Sequence, residues 1–230
     1  MAESRIPLHV GLIMDGNGRW AKKRLMPRSY GHKSGMNRMI GLAEHAQKVG
    51  VKYLTVYTLS TENLSRPREE LDGLFGLFRK YFKTNVKKLY EKNARVKVIG
   101  NISALPDDVA KLLEESQASS PENADFTLVF AINYGSRAEI LNAVNRAIED
   151  GKKLDEHGFG SLLYTDGIPD PDLIVRTGGE LRLSNFLCYQ SAYSELYFTD
   201  TLFPDFSDEQ FDKALKDYAS RERRFGKVQQ

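Results

Sequence analysis

Short apolar runs rich in β-branched residues alternate along this chain with longer segments of helical period. That alternation is typical of a mostly parallel β-sheet whose faces are covered by helices. We predict strands at residues 10–14, 53–59, 96–100, 126–132, 173–176 and 196–198. We predict helices around residues 36–49, 71–89, 107–117, 136–150 and 207–223, and flexible segments at 66–70, 117–123 and 152–160. The chain is therefore expected to form one α/β domain over residues 1–230.

The composition argues against several classes of protein. The net charge of +2 is nearly neutral, so no nucleic acid is expected as a partner. The single cysteine, Cys188, leaves no intrachain disulfide possible, which favours a reducing compartment. No stretch approaches the roughly 18 consecutive apolar residues of a spanning helix, and the first residues lack a signal-peptide pattern. We expect a cytoplasmic protein that contacts a membrane, if at all, only at its surface.

The most informative local motif follows the first predicted strand. Asp15, Gly16, Asn17, Gly18 and Arg19 stand where a strand feeds a helix, and free backbone N–H groups at such a place attract anions. The glycines let the backbone approach a phosphate, and Arg19 offers a planar fork of donors. A carboxylate beside a phosphate is repulsive unless a cation lies between them, so Asp15 indicates Mg²⁺ bound together with a diphosphate. The loop taken alone fits an ordinary tight turn equally well.

Residues 16–21 also match the glycine fingerprint of dinucleotide-binding proteins. That fingerprint requires an acid about twenty residues further on, after the next strand. Here the second predicted strand ends much later, near Glu62. The match is therefore poor, and a nicotinamide cofactor is not expected.

A second cluster of polar residues is predicted at the same edge of the sheet. Arg176 ends the fifth predicted strand, Arg182 and Ser184 follow it, and their donors are expected to form a second anion site. Arg28 and His32 could add donors to the first site, although each alone is more often a solvated surface residue. Two anion sites on one chain indicate two diphosphate substrates.

Seven stretches resemble the cis-prenyltransferase family in the family's own order: residues 9–21, 31–35, 57–67, 133–137, 171–186, 192–195 and 223–226. Members of this family condense isopentenyl diphosphate with an allylic prenyl diphosphate. The resemblance spans nearly the whole chain and is far more specific than any one loop. It implies a homodimer in which residues 224–226 of each chain reach across to the partner's site.

The resemblance also implies roles for individual residues. Asp15 would bind Mg²⁺ and assist departure of the allylic diphosphate, with Glu195 as a second metal ligand. Asn63 would lie beside the final proton removal, although a neutral amide is a poor base. Residues that would hold the allylic diphosphate are Gly16, Asn17, Gly18, Arg19, Arg28 and His32; those for the isopentenyl diphosphate are Arg176, Arg182 and Ser184. Further substrate contacts are implied for Trp20, Ser60, Thr61, Glu62, Leu64, Arg66 and Leu183.

Two positions depart from the family pattern, because Leu59 stands where many members have Phe and Leu64 where many have Trp. Smaller side chains there are expected to loosen the substrate pocket without removing a charged partner. The growing hydrocarbon chain needs an apolar tunnel, although any single apolar helix or strand residue more often belongs to the core. The candidates for the tunnel wall are Leu74, Phe75, Phe78, Phe82, Phe130 and Ile132.

These expectations describe a Mg²⁺-dependent enzyme that extends farnesyl diphosphate to a long-chain product such as undecaprenyl diphosphate, the lipid carrier of cell-wall synthesis. Contact with a membrane would come through that lipid product. The alternative is a non-catalytic scaffold subunit, and such subunits lack much of the acidic loop present here from Asp15 to Arg19. A trans-type prenyl synthase does not fit, since the chain has only Asp107 and Asp108 without the rest of the aspartate-rich motif.

Overall fold

The computed structural model describes residues 5–223, which contain six strands. They are β1 His9–Ile13, β2 Tyr53–Ser60, β3 Ala94–Ile99, β4 Phe126–Tyr134, β5 Leu173–Arg176 and β6 Glu195–Phe198. All neighbouring strands are parallel, and their order in the sheet is β3-β4-β2-β1-β5-β6. The predicted α/β fold with one parallel sheet is confirmed, and the predicted strand ends lie within about two residues of the observed ones, the usual uncertainty of such boundaries.

Helices occupy much of the chain between the strands. Their bounds are α1 Asn17–Lys23, α2 Arg28–Lys48, α3 Arg68–Thr84, α4 Val86–Glu91, α5 Asp107–Ala118, α6 Ser136–Glu149, α7 Glu156–Gly160 and α8 Asp208–Ser220. The prediction of a single helix over residues 71–89 is wrong, because Asn85 separates α3 from α4. Its N–H donates to Tyr81 O at the end of α3, and its own carbonyl accepts from Lys88 at the start of α4. Asparagine favours such helix ends over helix interiors.

The segments predicted to be flexible are partly ordered into helices. Residues 66–70 include the start of α3, and residues 152–160 include α7. Asp155 caps α7 by accepting a 2.7 Å hydrogen bond from the Gly158 N–H, which satisfies one of the free donors of its first turn. Among residues 5–223, no helix is both long and apolar enough to cross a bilayer.

The sheet has a hydrophobic cluster on each face. Val10 and Leu12 of β1 belong to the larger cluster, whereas Ile13 belongs to the smaller one, as the alternation of side chains along a strand requires. All nine residues of β4 are buried, which is why this strand has a nearly continuous apolar sequence. Phe82 of α3 packs on Phe130 of β4 with ring centroids 5.1 Å apart, so the larger cluster joins the helices to the sheet.

The strand register brings three carboxyl ends to one place. Ile13 at the end of β1 pairs with Tyr57 of β2 on one side and with Arg176 of β5 on the other. The chain leaves β1 for β2 on one side, and a later segment returns to pair with β1 on its other side. At a point where the strand order reverses in this way, a parallel sheet has a crevice at the carboxyl ends of its strands, and ligands bind there.

Helices α1 and α2 approach each other closely beside this crevice. A Cβ atom on Gly31 would collide with the backbone oxygen of Asn17, and one on Gly35 would collide with the side-chain oxygen of the same residue. The glycines of α2 therefore let α1 lie directly against it. Gly41 lies later in α2, and a Cβ there would meet only Arg38 Nη1, at 3.6 Å.

We predict that Gly31→Ala lowers the free energy of unfolding by about 1–3 kcal/mol, because the backbone of α1 must move. The matched variant Gly41→Ala has room for its methyl group and should raise stability by up to about 1 kcal/mol, as glycine is unfavourable in a helix interior. Urea denaturation of both variants checks this. Equal effects of the two substitutions would show that the helices do not pack as described.

Candidate active site

Asp15 directly follows β1 and lies between two arginines. Its Oδ1 is 3.1 Å from Arg19 Nη2, and its Oδ2 accepts a hydrogen bond of 3.0 Å from Arg176 Nη2. The backbone oxygen of Asp15 accepts from the Thr177 hydroxyl at 2.8 Å and from the Phe203 N–H at 3.0 Å. The side chain of Asp15 is 30% exposed, so the carboxylate is fixed in position yet open to the crevice.

Gly16 turns the chain from β1 into α1. Its φ of 109° lies in the region that favours glycine, and a Cβ atom there would stand 2.8 Å from Leu202 Cδ2. A second close approach occurs at Gly178, where a Cβ would lie 2.6 Å from Arg19 Nη2. These two glycines allow the chain after β1 and the chain after β5 to meet around Asp15.

The first cavity has a volume of about 720 Å³ and opens at the start of α1. Arg19, Lys22, Arg28 and Arg66 line it, with Asp15 as the opposing carboxylate. This excess of positive charge suits a highly charged anion such as a diphosphate. Its lining also includes the predicted residues Gly16, Asn17, Gly18 and His32.

Glu70 organises one wall of this cavity, a role that no local sequence pattern indicates. Its Oε1 lies 3.0 Å from Arg66 Nη1, 3.3 Å from Arg28 Nη2 and 3.4 Å from His32 Nε2. Burial lowers the pKa of His32, and the nearby Glu70 only partly offsets that effect. His32 is therefore neutral at physiological pH, and Arg28 and Arg66 carry the positive charge of this wall.

The second cavity has a volume of about 580 Å³ and lies beyond the end of β5. Arg176 is buried there, and its Nη1 donates to Ser184 Oγ at 2.7 Å and to the backbone oxygen of Arg182 at 2.5 Å. The more exposed Arg182 also lines this cavity, together with Ser60 and Glu62. The three residues predicted to form a second anion site, Arg176, Arg182 and Ser184, are thus brought together.

The two cavities share one wall. The residues common to both are Met14, Asp15, Tyr57, Asn63 and Arg66. The Asn63 side-chain oxygen accepts from the Ser60 N–H at 3.3 Å, while Ser60 Oγ accepts from the Asn63 N–H at 3.2 Å. This reciprocal capping fixes Asn63 at the junction. The two cationic cavities therefore adjoin at one shared carboxylate, that of Asp15.

Tyr57 and Asn185 also belong to the site and were missed by the sequence analysis. The Tyr57 ring stacks on Phe186 with centroids 4.6 Å apart, and its hydroxyl donates to Tyr134 O at 3.1 Å and Ser184 O at 3.3 Å. Burial raises the pKa of Tyr57, which keeps the hydroxyl protonated as a donor. Nothing in the local sequence distinguishes this tyrosine from an ordinary strand residue.

Asn185 links the second cavity to the start of α6. Its Nδ2 donates to Glu62 Oε1 at 2.9 Å, and its Oδ1 accepts from the Arg137 N–H at 2.9 Å. Burial raises the pKa of Glu62, but hydrogen bonds, first that from Asn185, lower it by more, so this carboxylate is ionised. Asn185 has a φ of 65°, and Ser184 beside it has a φ of 50°. Asparagine tolerates this left-handed conformation better than most residues.

Four predicted contact residues do not line either cavity. Trp20 donates from its indole nitrogen to Asp205 Oδ1 at 2.7 Å, and the guanidinium of Arg24 lies 4.1 Å from its ring centroid. Leu64 packs against the larger hydrophobic cluster and Leu183 against the smaller one. The Thr61 hydroxyl donates to Glu62 Oε2 at 3.1 Å. The side chains of Trp20, Thr61, Leu64 and Leu183 are each turned to a neighbour in the protein, so their predicted contact with substrate stays a prediction.

Glu195 is not brought to Asp15 within one chain. It begins β6 and pairs with Leu173 at the amino end of β5, whereas Asp15 lies beyond the carboxyl end of β1. Its Oε2 accepts a 2.8 Å hydrogen bond from Arg221 Nη1. Glu195 and Asp15 of one chain therefore lie at opposite edges of the sheet, and the expectation that they hold one metal together is wrong for a single chain. The predicted C-terminal tail, residues 224–226, lies outside the described residues.

The donor set around Asp15 fits a metal that is bound jointly with substrate. Within residues 5–223, no group of three or more histidine, cysteine, aspartate or glutamate side chains could hold a metal ion by itself. A single carboxylate open to two cationic cavities suits Mg²⁺, which keeps several waters and takes phosphate oxygens as its other ligands.

A third cavity of about 630 Å³ lies between α2 and α3 and adjoins the first. Pro27, Arg28, His32 and Leu74 line both, and Tyr30 and Leu77 add to its apolar wall. Of the six residues predicted for a tunnel wall, Leu74 lines this space. The other five are buried in the larger cluster: Phe75, Phe78, Phe82, Phe130 and Ile132.

A parallel sheet with two adjoining cationic cavities at the carboxyl ends of its central strands fits an enzyme that binds two anionic substrates, and similarity to known proteins identifies the family. Residues 13–226 match a prenyltransferase family described as "Putative undecaprenyl diphosphate synthase". The chain is 50% identical over 227 residues to an isoprenyl transferase of Fusobacterium nucleatum, with 98% of each chain covered. It is 49% identical over 234 residues to an isoprenyl transferase of Streptococcus pyogenes, covering 97% of this chain and 94% of that protein. The chain belongs to the undecaprenyl diphosphate synthase family of prenyltransferases.

Two solved structures share the fold. Lavandulyl diphosphate synthase from Lavandula x intermedia, in complex with dimethylallyl diphosphate, superposes with a TM-score of 0.92 at 33% identity, covering 96% of this chain and 99% of that one. A probable undecaprenyl diphosphate synthase from Campylobacter jejuni superposes with a TM-score of 0.82 at 32% identity, covering 99% and 100%. The family predicted from the sequence motifs is therefore confirmed.

We predict that Asn185→Ala lowers the free energy of unfolding by about 2 kcal/mol, since it removes two hydrogen bonds and leaves alanine in a left-handed conformation. Asn185→Gly loses the same hydrogen bonds but no longer strains the backbone, so about 1 kcal/mol should be recovered. Urea denaturation of both variants measures the difference. A smaller loss for alanine than for glycine would contradict the backbone assignment.

Proposed function

We propose that this protein condenses isopentenyl diphosphate with an allylic prenyl diphosphate, starting from farnesyl diphosphate, in a Mg²⁺-dependent reaction. The product would be a long-chain prenyl diphosphate such as undecaprenyl diphosphate, used as a lipid carrier in cell-wall synthesis. The observation that carries the proposal is the position of Asp15 between two cationic cavities. The family membership narrows the two anions to prenyl diphosphates.

In this proposal the first cavity holds the allylic diphosphate and the second holds the isopentenyl diphosphate. The allylic carbon–oxygen bond breaks with its electron pair leaving on the diphosphate, and the isopentenyl alkene forms the new carbon–carbon bond. Arg19, Arg28 and Arg66 lie where they can neutralise the departing charge. A Mg²⁺ held by Asp15 would add electrostatic stabilisation of the same leaving group.

The second substrate would be oriented by Arg176, Arg182 and Ser184, which converge beyond β5. One proton must leave after the new bond forms. Asn63 lies at the junction of the cavities, but its side-chain oxygen already accepts from the Ser60 N–H. We propose that Asn63 positions the groups around the reacting carbons and that a diphosphate oxygen or a water takes the proton.

The growing hydrocarbon chain would extend from the first cavity into the third, along Leu74 and Leu77. Burial of hydrocarbon is worth about 0.8 kcal/mol per CH₂, so an apolar passage adjoining the diphosphate site stabilises a long product. Contact with a membrane would follow when such a lipid leaves the protein.

Incubation of the purified protein with Mg²⁺, farnesyl diphosphate and labelled isopentenyl diphosphate tests the function. Chromatographic sizing of the product should reveal chains longer than farnesyl, and a chelator should abolish their formation. The alternative is a non-catalytic scaffold subunit. Absence of product with and without detergent, from protein that is folded by circular dichroism, would favour the scaffold.

We predict that Asp15→Asn and Asp15→Ala each lower turnover by at least about 10²-fold, because the charge that binds the metal is lost. Asp108→Asn is a matched control: this carboxylate pairs with Arg79 on the surface, away from the three cavities, and its loss should leave turnover within about 2-fold. Turnover is measured as a function of Mg²⁺ concentration. Near-normal activity of Asp15→Asn would rule out Asp15 as the metal ligand.

We also propose that the chain forms a homodimer through α6. Leu141, Val144 and Ile148 are exposed and lie one and two turns apart on this helix, so they form an apolar stripe. A second copy of the same helix would cover that stripe in a symmetric dimer.

We predict that the double substitution Leu141→Asp and Ile148→Asp converts the dimer to monomer at micromolar concentration in sedimentation velocity. Leu181→Asp, at an exposed leucine outside α6, is the control and should leave the oligomeric state unchanged. A dimer that survives the double substitution would place the interface elsewhere.

A further inference from the structure

Residues 22–30, which end α1, connect it to α2 and begin α2, are all exposed. We call this segment the basic tip. Its sequence, KKRLMPRSY, contains four cationic residues and no acidic residue, although the whole chain carries a net charge of only +2. The charge of the protein is therefore locally concentrated at this tip.

Large apolar side chains stand among these cations. Leu25 is 97% exposed, and Tyr30 and Met26 are exposed by 57% and 44%. Leu25 has a φ of 54°, a conformation that is rare for a branched side chain, and its N–H donates to Lys22 O at 3.1 Å. The turn thus holds a leucine in water at the outermost part of the tip.

Part of the charge of the tip is neutralised within the protein. Arg24 pairs with Asp205 at 3.2 Å, and Arg28 pairs with Glu70 at 3.3 Å. Lys22 and Lys23 form no ion pair within 4.0 Å among the described residues. Two unpaired lysines beside a fully exposed leucine remain for an external partner.

The tip borders the proposed route of the product. Leu25 and Met26 line the first cavity, Tyr30 lines the third, and Pro27 lines both. A surface that binds at the tip therefore lies next to the opening through which a prenyl chain would enter or leave.

We propose that the basic tip docks on the surface of an anionic lipid bilayer. Leu25 and Met26 enter the boundary between headgroups and acyl chains, Tyr30 lies at headgroup depth, and Lys22 and Lys23 bind lipid phosphates. The purpose of this docking, delivery of a lipid product to the bilayer, rests on the function proposed above. The docking itself needs no catalysis.

The mixture of side chains favours a bilayer over other anionic partners. A nucleic acid would be bound by the lysines but would gain little from an exposed Leu25 and Met26, since its backbone is polar. At a bilayer both groups contribute, because apolar side chains enter the interface and nearby lysines are attracted to anionic lipids.

The test is co-sedimentation of the substrate-free protein with vesicles of phosphatidylcholine alone or with about 30% phosphatidylglycerol. Binding should require the anionic lipid and should weaken as salt is raised, because the attraction is screened. The double variant Lys22→Glu and Lys23→Glu should weaken binding at least about 20-fold, because each lysine near an anionic surface contributes several-fold to the binding constant. Leu25→Ser should weaken it about 10-fold through loss of apolar insertion.

Matched variants elsewhere on the surface show whether a loss of vesicle binding is specific to the basic tip. Lys87→Glu with Lys88→Glu makes the same charge change on α4, and Leu181→Ser removes another well-exposed leucine. Both controls should bind vesicles like the unmodified protein. Absence of vesicle binding, equal binding to neutral vesicles, or equal losses in tip and control variants would overturn the proposal. Product formation in detergent is measured separately and tests the proposed enzymatic function. A failure of the docking proposal can therefore be told apart from a failure of the proposed function.

Discussion

The pair formed by Asp15 and Arg176 is the interaction on which the site depends. The Arg176 side chain is only 5% exposed, and a buried guanidinium requires an opposing charge. Asp15 supplies that charge, while Ser184 and the backbone oxygen of Arg182 accept further hydrogen bonds from Arg176. One ion pair thus joins the end of β1 to the end of β5 and to the loop that follows it. Asp15 then faces both cavities where anions are proposed to bind, and Arg176 faces the second of them.

The parallel sheet brings Asp15 and Arg176 together. The direction of its strands also explains why the expectation for Glu195 was wrong. Polar residues that follow parallel strands lie at one edge, so the sequence could predict that Asp15 and Arg176 would be close. Glu195 precedes its predicted strand, and that rule would have placed it at the opposite edge, where the structure has it. The expectation that Glu195 joins Asp15 at a metal came from the family resemblance. A resemblance assigns a residue to a site without saying which chain of an assembly supplies it.

Other features of the site could not be predicted because they depend on packing between distant segments. Glu70 meets Arg28 and His32 only because α3 lies against α2, and Asn185 meets Glu62 across the loops after β5 and β2. The orientation of Trp20 could not be predicted from the motif either. Its neighbour Arg19 lies about 100° away around α1, so when Arg19 faces the cavity Trp20 faces the 3₁₀ turn containing Asp205.

The two residues that depart from the family pattern lie beneath the site and not on its cavity walls. Leu59 is fully buried in the larger hydrophobic cluster, and Leu64 packs against the same cluster, so neither side chain lines the first or the second cavity. Ser60 and Asn63 lie beside them in the chain and cap each other at the junction of the cavities. Because protein interiors are close-packed, we expect a change of side-chain volume at either leucine to act on the cavities through the backbone that carries Asn63. Asp15 and Arg176 are held by separate contacts, with each other and with Thr177. The side chains at positions 59 and 64 can therefore differ among relatives without removing these contacts.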